Sequence, residues 1–173
     1  MKRILPFIPI VVIVALGLLF AGYGLHHDPQ VQPNALIGKP LPTASLPPLD
    51  GGQPIRISGA LNGPGLVNVF GSWCAPCAVE GPQLMKLKQN GVQIVGVSWM
   101  DRPENTHAFL GKTGNPFALV LVGNDATAID FGITGAPETF IVDAKGMVVG
   151  KRVGGITDVD VATLTKQIKA MKP

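Results

Sequence analysis

Apolar residues along the chain fall into one long N-terminal run and then into short blocks separated by polar, Gly- and Pro-rich punctuation. The long run, residues 4–25, holds no charged side chain across 22 positions. As a helix it measures roughly 33 Å, enough for a bilayer core. Pro6 and Pro9 lie near its start, where missing N–H groups cost a helix little. The pattern predicts a transmembrane anchor over residues 1–25, with Lys2 and Arg3 held in the cytoplasm. A cleaved signal peptide is the competing reading, but its apolar core is usually shorter, and residues 20–24 hold no clean small-x-small site. Either reading exports the rest of the chain and places its cysteines in an oxidising compartment.

Residues 26–39 read as a Pro-containing linker, semi-rigid from residue 28 onward. The folded part is expected over residues 40–173. Asp50-Gly51-Gly52 is a turn signal, and Ile55-Arg56-Ile57 a short strand after it. Residues 66–70 form an apolar run that predicts a buried strand ending at Gly71. A helix is expected from Cys74 to Asn90, stopped by Gly91 and kinked at Gly81-Pro82. Strands are expected at residues 92–99 and 118–122, with helices at 102–110 and 125–131. Strands at 139–142 and 147–153 flank the turn Asp143-Ala144-Lys145-Gly146. A last helix opens at Thr157 or Asp158 and buries Val161, Leu164, Ile168 and Met171. Strand–helix–strand order implies a partly parallel sheet with helices on both faces, closed by an antiparallel pair.

Composition excludes disorder, because 46% of residues are hydrophobic and only 14% charged. The basic surplus does not indicate nucleic acid. Without Lys2 and Arg3 the balance is 12 basic against 11 acidic residues, and no basic run exceeds two. Gly111-Lys112-Thr113 mimics the end of a phosphate loop, but the glycine required at position 106 is Thr106.

The chemistry sits at Trp73-Cys74-Ala75-Pro76-Cys77. These two cysteines, the only ones in the chain, stand at i and i+3 after a strand and at a helix start. A helix N-terminus offers free N–H groups and partial positive charge, which stabilise a thiolate. Cys74 at the exposed tip can attack, and Cys77 one turn inside can close a disulfide upon it. A purely structural disulfide and half of a metal site remain as alternatives. The first closes too small a ring to stabilise much, and the second lacks ligands, since only His26, His27 and His107 are left.

Residues 71–80, Gly-Ser-Trp-Cys-Ala-Pro-Cys-Ala-Val-Glu, and residues 131–143, Phe-Gly-Ile-Thr-Gly-Ala-Pro-Glu-Thr-Phe-Ile-Val-Asp, resemble the thioredoxin-like family. Within it the chain resembles the membrane-anchored thiol–disulfide proteins of cytochrome c maturation, the DsbE/CcmG type. The Gly-Ala-Pro-Glu-Thr-Phe stretch carries the narrower likeness, and residues 35–40 and 114–117 support it. The resemblance implies a thioredoxin-like α/β fold, a mixed central sheet flanked by helices, behind an N-terminal transmembrane helix. It implies that Pro137 is a cis-proline facing the cysteines, and that Trp73, Pro76, Ala136 and Glu138 join it in binding substrate. Glu138 would make the groove acidic. Glu80 matches the acid that this family carries, and would move a proton as the thiols open and close. Asn68 stands where thioredoxin itself keeps a buried acid. The family often has a basic residue after the second cysteine and a His or Met after the Glu; Ala78 and Gly81 stand there instead.

The expected activity is therefore periplasmic thiol–disulfide exchange in the reducing direction, from a single-pass inner-membrane anchor. No metal and no cofactor beyond the redox-active cysteine pair is called for. Expected partners are a membrane-embedded electron donor of the DsbD/CcdA type and apocytochrome c or a maturation thiol protein. A general tethered reductase with another client, or a non-catalytic peptide-binding module, is the alternative.

Overall fold

The computed structural model describes residues 12–18, 22 and 36–172. Most of the expected anchor, and the expected linker up to residue 35, lie outside the described residues. Residues 12–18 are helical, and among the described residues no helix is long and apolar enough to cross a membrane.

Two short strands, β1 (Ser45–Leu46) and β2 (Ile55–Arg56), pair antiparallel around the expected turn. Ile57 was expected to continue β2. It opens a 3-10 turn instead, Ile57–Gly59, and its side chain is fully buried. β3 (Gly65–Phe70) leads into α1 (Ala75–Gln89), then β4 (Gln93–Trp99), α2 (Pro103–Thr113) and β5 (Leu119–Gly123). α3 (Asp125–Phe131), β6 (Glu138–Val142), β7 (Val148–Val153) and α4 (Asp158–Ala170) complete the domain. The main sheet runs β5–β4–β3–β6–β7. β3, β4 and β5 are mutually parallel, whereas β6 is antiparallel to both β3 and β7. This is the mixed sheet that the order of elements predicted.

Alternation along β3 separates two cores. Leu66 and Phe70 pack with Leu84 and Leu87 of α1, Leu110 of α2 and Leu164 and Ile168 of α4. Val67 and Val69 pack on the other face with Phe131 of α3, Phe140, and Leu41, Leu46 and Ile57. Asn68 is in register with Leu66 and Phe70, so it faces the α1 side from the middle of the sheet.

α1 continues through Gly81-Pro82 as one helix. α2 runs a turn beyond Leu110 and ends only at Gly114, whose φ of +85° closes it. α4 is capped by Thr157, whose hydroxyl accepts from Asp160 N while the Asp160 carboxylate accepts from Thr157 N. Residues 36–39, expected to be linker, lie along the edge of the sheet instead. Gly38 N donates to Val148 O and Val148 N to Lys39 O, both at 2.8 Å. The segment is a turn, closed by Lys39 N donating to Leu36 O at 2.9 Å with Gly38 at φ +79°, and it leads into an antiparallel bridge between Pro40 and Met147.

Candidate active site

β3 ends against Gly71, and the chain turns there into α1. A Cβ on Gly71 would stand 2.5 Å from Trp73 Nε1, so the absence of a side chain lets the indole fold back on the turn. Trp73 Nε1 donates to Trp99 O at 3.1 Å, and the two rings meet edge to face at 5.9 Å. Trp73 nevertheless stays 52% exposed. Asp101 fixes the same turn from the far side of β4. Its carboxylate accepts from Ser72 N at 2.7 Å, from Ser72 Oγ at 2.8 Å and from Thr106 Oγ1 at 3.0 Å. Sequence reasoning missed Asp101. Its signal is an acid directly ahead of the Arg102-Pro103 helix start.

Cys74 is the N-cap of α1, with Pro76 at the second helical position, and is joined to Cys77 at 2.02 Å. The Cys77 N–H donates to Cys74 Sγ at 3.2 Å. That bond and the helix N-terminus will favour the Cys74 thiolate once the pair is reduced. The expected exposed tip is not found. Cys74 is only 4% exposed, against 3% for Cys77, because the turn draws both into the core of the α1 face. Ala75 and Pro76 beside it are exposed, whereas Cys77 lines an internal space with Phe70 and Leu84. Access to the disulfide is therefore from the Cys74 side.

Glu80 lies one turn beyond Cys77 and is 1% exposed, not a solvated helix residue. Its Oε1 accepts from Asn68 Nδ2 at 3.1 Å and its Oε2 from Ile156 N at 2.9 Å. Burial pushes this carboxyl above the usual carboxylate range, and the Ile156 N–H and the Asn68 amide only partly pull it back. A carboxyl that binds its proton more tightly in the folded chain contributes fully to stability below its unfolded pKa. That contribution is lost as pH rises through the folded value. Unfolding free energies measured by denaturant between pH 4 and pH 8 should show this downward slope in the wild type and lose it in Glu80→Gln. Parallel curves would mean that Glu80 is not titrating within the fold.

Ala136–Pro137 is a cis peptide bond, as the resemblance implied. Ala136 packs against the core cluster that contains both cysteines, and Pro137 is buried. Glu138 departs from its expected place. It is fully buried on the opposite face of β6, alongside Phe140, and so cannot acidify a groove beside the disulfide. Its partners there are Thr134 and Lys151.

A second feature had no sequence signal. The loop before α4 brings Gly155 and Ile156 against α1, and with Ala75, Pro76, Val79 and Thr157 they line an open groove of about 440 Å³. Val79 on its rim is 75% exposed. The Cβ of a residue at 155 would stand 3.8 Å from Glu80 Cβ, an ordinary van der Waals contact, so the loop lies directly against the acid.

A disulfide capping a helix, a cis-proline at the neighbouring strand and a buried acid one turn inward define a thioredoxin-like thiol–disulfide oxidoreductase. Residues 36–168 match the Redoxin family, and the chain belongs to it. It is 39% identical over 167 residues to the thiol:disulfide interchange protein HelX of Rhodobacter capsulatus, covering 94% of this chain and 93% of that one. It is 41% identical over 152 residues to the thiol:disulfide interchange protein DsbE of Allochromatium vinosum, covering 86% and 83%. Among solved structures it is similar to a putative DsbE from Chlorobium tepidum, at 26% identity and a TM-score of 0.65, covering 78% of this chain and 96% of that one.

Proposed function

We propose that this protein is a membrane-tethered periplasmic reductant that acts in cytochrome c maturation. The observation that carries the reading is a buried Glu80 beneath a cysteine pair whose intervening residues, Ala75 and Pro76, bear no charge. Strongly oxidising relatives place a histidine there, which stabilises the reduced thiolate and raises the potential. Its absence favours a potential nearer about −270 mV than about −120 mV. The uncharged run after Lys2-Arg3 supports an inner-membrane anchor with the domain outside. An oxidising compartment does not recharge a dithiol, so the electrons come from a membrane-embedded donor of the DsbD/CcdA type.

The Cys74 thiolate attacks one sulfur of the client disulfide, forms a mixed disulfide and releases one client thiol. Cys77 then gives its proton to Glu80 and attacks Cys74 Sγ, re-forming the Cys74–Cys77 bond and releasing the second client thiol. Two electrons pass to the client. Trp73, Pro76 and the Ala136-Pro137 backbone receive the client chain, and the groove beside Val79 and Ile156 takes an apolar side chain from it. The client is a C-x-x-C-H segment of apocytochrome c or a maturation thiol partner, because haem attachment needs both thiols reduced.

In the test, Cys77→Ser is expressed in the periplasm and adducts are resolved on non-reducing gels and by mass spectrometry. The expected adduct joins Cys74 to apocytochrome c or its maturation partner. Adducts with unrelated secreted proteins only, together with a potential above about −150 mV, would place the protein among the oxidants.

A further inference from the structure

Lysines that are scattered in sequence are gathered by the fold. β3 and β4 start at one end of the sheet, where β6 finishes and β7 begins, since Gly65 lies opposite both Gln93 and Val142, and Val142 opposite Val148. The cysteines follow β3 at the other end. Lys39 and Lys145 lie beside the bridge between Pro40 and Met147 at the first end. Lys88 Nζ donates to Asn115 O, ahead of β5, and Lys112 is in the last turn of α2, just before that loop. Lys169 lies in the last turn of α4, and Lys172 lines a hollow with Gly91 and Ala144. All of these lysines are exposed. Two acids share their end among the described residues. Asp143 spends its Oδ1 on Lys145 N and Met147 N, and Asp50 stands at the β5 edge, 3.6 Å from His107. Asp101, Glu104, Asp125, Asp158 and Asp160 all follow strands that finish at the cysteine end. Residues 36–172 carry 12 basic against 10 acidic side chains, so the polarity comes from placement and not from net charge.

The chain enters the domain at the same end, where Gly38 N donates to Val148 O and the neighbouring Ile37 is 48% exposed. Residues 26–35 separate this point from the uncharged run, and ten residues span at most about 35 Å. An anchor in that run holds the lysines within that reach of a bilayer surface. Where the headgroups are anionic, each lysine near them favours contact roughly fivefold. Lysine suits such a surface, because its ammonium stays hydrated at the end of a flexible apolar stem. We propose that this lysine end docks on anionic phospholipid headgroups and so seats the domain on the bilayer with its cysteine end turned outward. This rests on the reading of residues 4–25 as an anchor. A docked domain meets its client with Trp73, Cys74 and the Ala136-Pro137 backbone facing away from the lipid. A tethered domain free to tumble would turn that face into the membrane part of the time.

The test reconstitutes the full chain in vesicles of phosphatidylcholine, alone or mixed with phosphatidylglycerol, and labels lysines with a membrane-impermeant amine reagent read by mass spectrometry. Rates are normalised to Lys86, which pairs with Asp158 at the start of α4. In the anionic vesicles Lys39, Lys88, Lys112, Lys145, Lys169 and Lys172 should label at least about fivefold more slowly than in the neutral ones. About 0.5 M salt, where the Debye length falls to roughly 4 Å, should abolish the difference. Lys145→Gln/Lys169→Gln/Lys172→Gln should return Lys39, Lys88 and Lys112 to the rate seen on neutral lipid, whereas arginine at the same three positions should keep them protected. Both variants should reduce a small peptide disulfide in detergent at the wild-type rate. Equal labelling on the two lipids, or protection that survives the glutamine variant, would overturn the proposal. So would equal protection by soluble polyglutamate in neutral vesicles, which would give this end to an acidic protein. Alkaline carbonate extraction of the same vesicles reports the anchor by itself. A chain that resists extraction but shows no lipid-dependent protection keeps its anchor and loses the docking surface. A chain that carbonate strips, but whose lysines anionic lipid protects, loses the anchor and keeps the docking surface.

Discussion

Replacing Cys74 by serine should abolish disulfide exchange, lowering turnover of a labelled peptide disulfide by at least about a thousandfold, to the uncatalysed rate. A serine hydroxyl is neither ionised at neutral pH nor able to form the mixed disulfide. Cys77→Ser should also lose turnover but keep the first attack, so it should accumulate one equivalent of adduct. The asymmetry follows from placement rather than from exposure, which is nearly equal at 4% and 3%. Cys74 is the helix cap, its sulfur accepts the Cys77 N–H, and its neighbours Trp73, Ala75 and Pro76 are open to a client. Cys77 is enclosed among Phe70, Leu84 and Glu80. The check is quenched-flow trapping with mass spectrometry of each variant. Adduct formation by Cys74→Ser at a rate similar to that of Cys77→Ser would show that the inner cysteine attacks.

Elements whose signal is local were legible before the fold was known. Residues 66–70, apolar between a glycine–proline loop and Gly71, could only be a buried strand, and 125–131 appeared as the helix expected. The last helix was expected to open at Thr157 or Asp158, and it begins at Asp158 with Thr157 as its cap. The cysteine pair was legible from its spacing at a helix start, and Glu80 and Pro137 through a resemblance that spans nearly the whole domain. What failed depended on partners far along the chain. Glu138 and Thr139 are adjacent on β6 and point to opposite faces, and all five residues of that strand are buried. With no polar alternation, nothing local says which of the two faces α1. The Asn68–Thr139 contact joins residues 71 apart through an antiparallel register that sequence does not specify. The loop that brings Ile156 N to Glu80 is likewise placed by the docking of α4 on α1. Residues 36–39 look the same in sequence whether their hydrogen bonds go to water or to Val148.

Lys151→Met should be among the most destabilising single changes outside the hydrophobic core, costing about 3–5 kcal/mol. Lys151 Nζ and Glu138 Oε2 stand 2.8 Å apart, with their side chains 3% and 0% exposed. Lys151 also donates to Gly132 O at 3.0 Å and lies 5.2 Å from the centre of the Phe140 ring. The other carboxylate oxygen of Glu138 accepts from Thr134 N at 3.0 Å and Thr134 Oγ1 at 2.6 Å. Together these bonds tie residues 132–138, the segment that contains Pro137, to β7. Methionine matches the lysine stem in volume, so packing is conserved and only the charge and its donors are removed. The buried carboxylate is then left without a counter-ion, and that accounts for most of the loss. Neutralising it should therefore repair the fold. Lys151→Met/Glu138→Gln keeps an acceptor for Thr134 and should recover more than half of the stability lost by Lys151→Met. Guanidinium unfolding of the soluble domain measures both, and the single variant should melt roughly 10 °C below the wild type. A loss under about 1 kcal/mol would put the pair in the class of exposed ion pairs. A double variant no better than the single one would mean that Lys151 acts through Gly132 and Phe140 and not through Glu138.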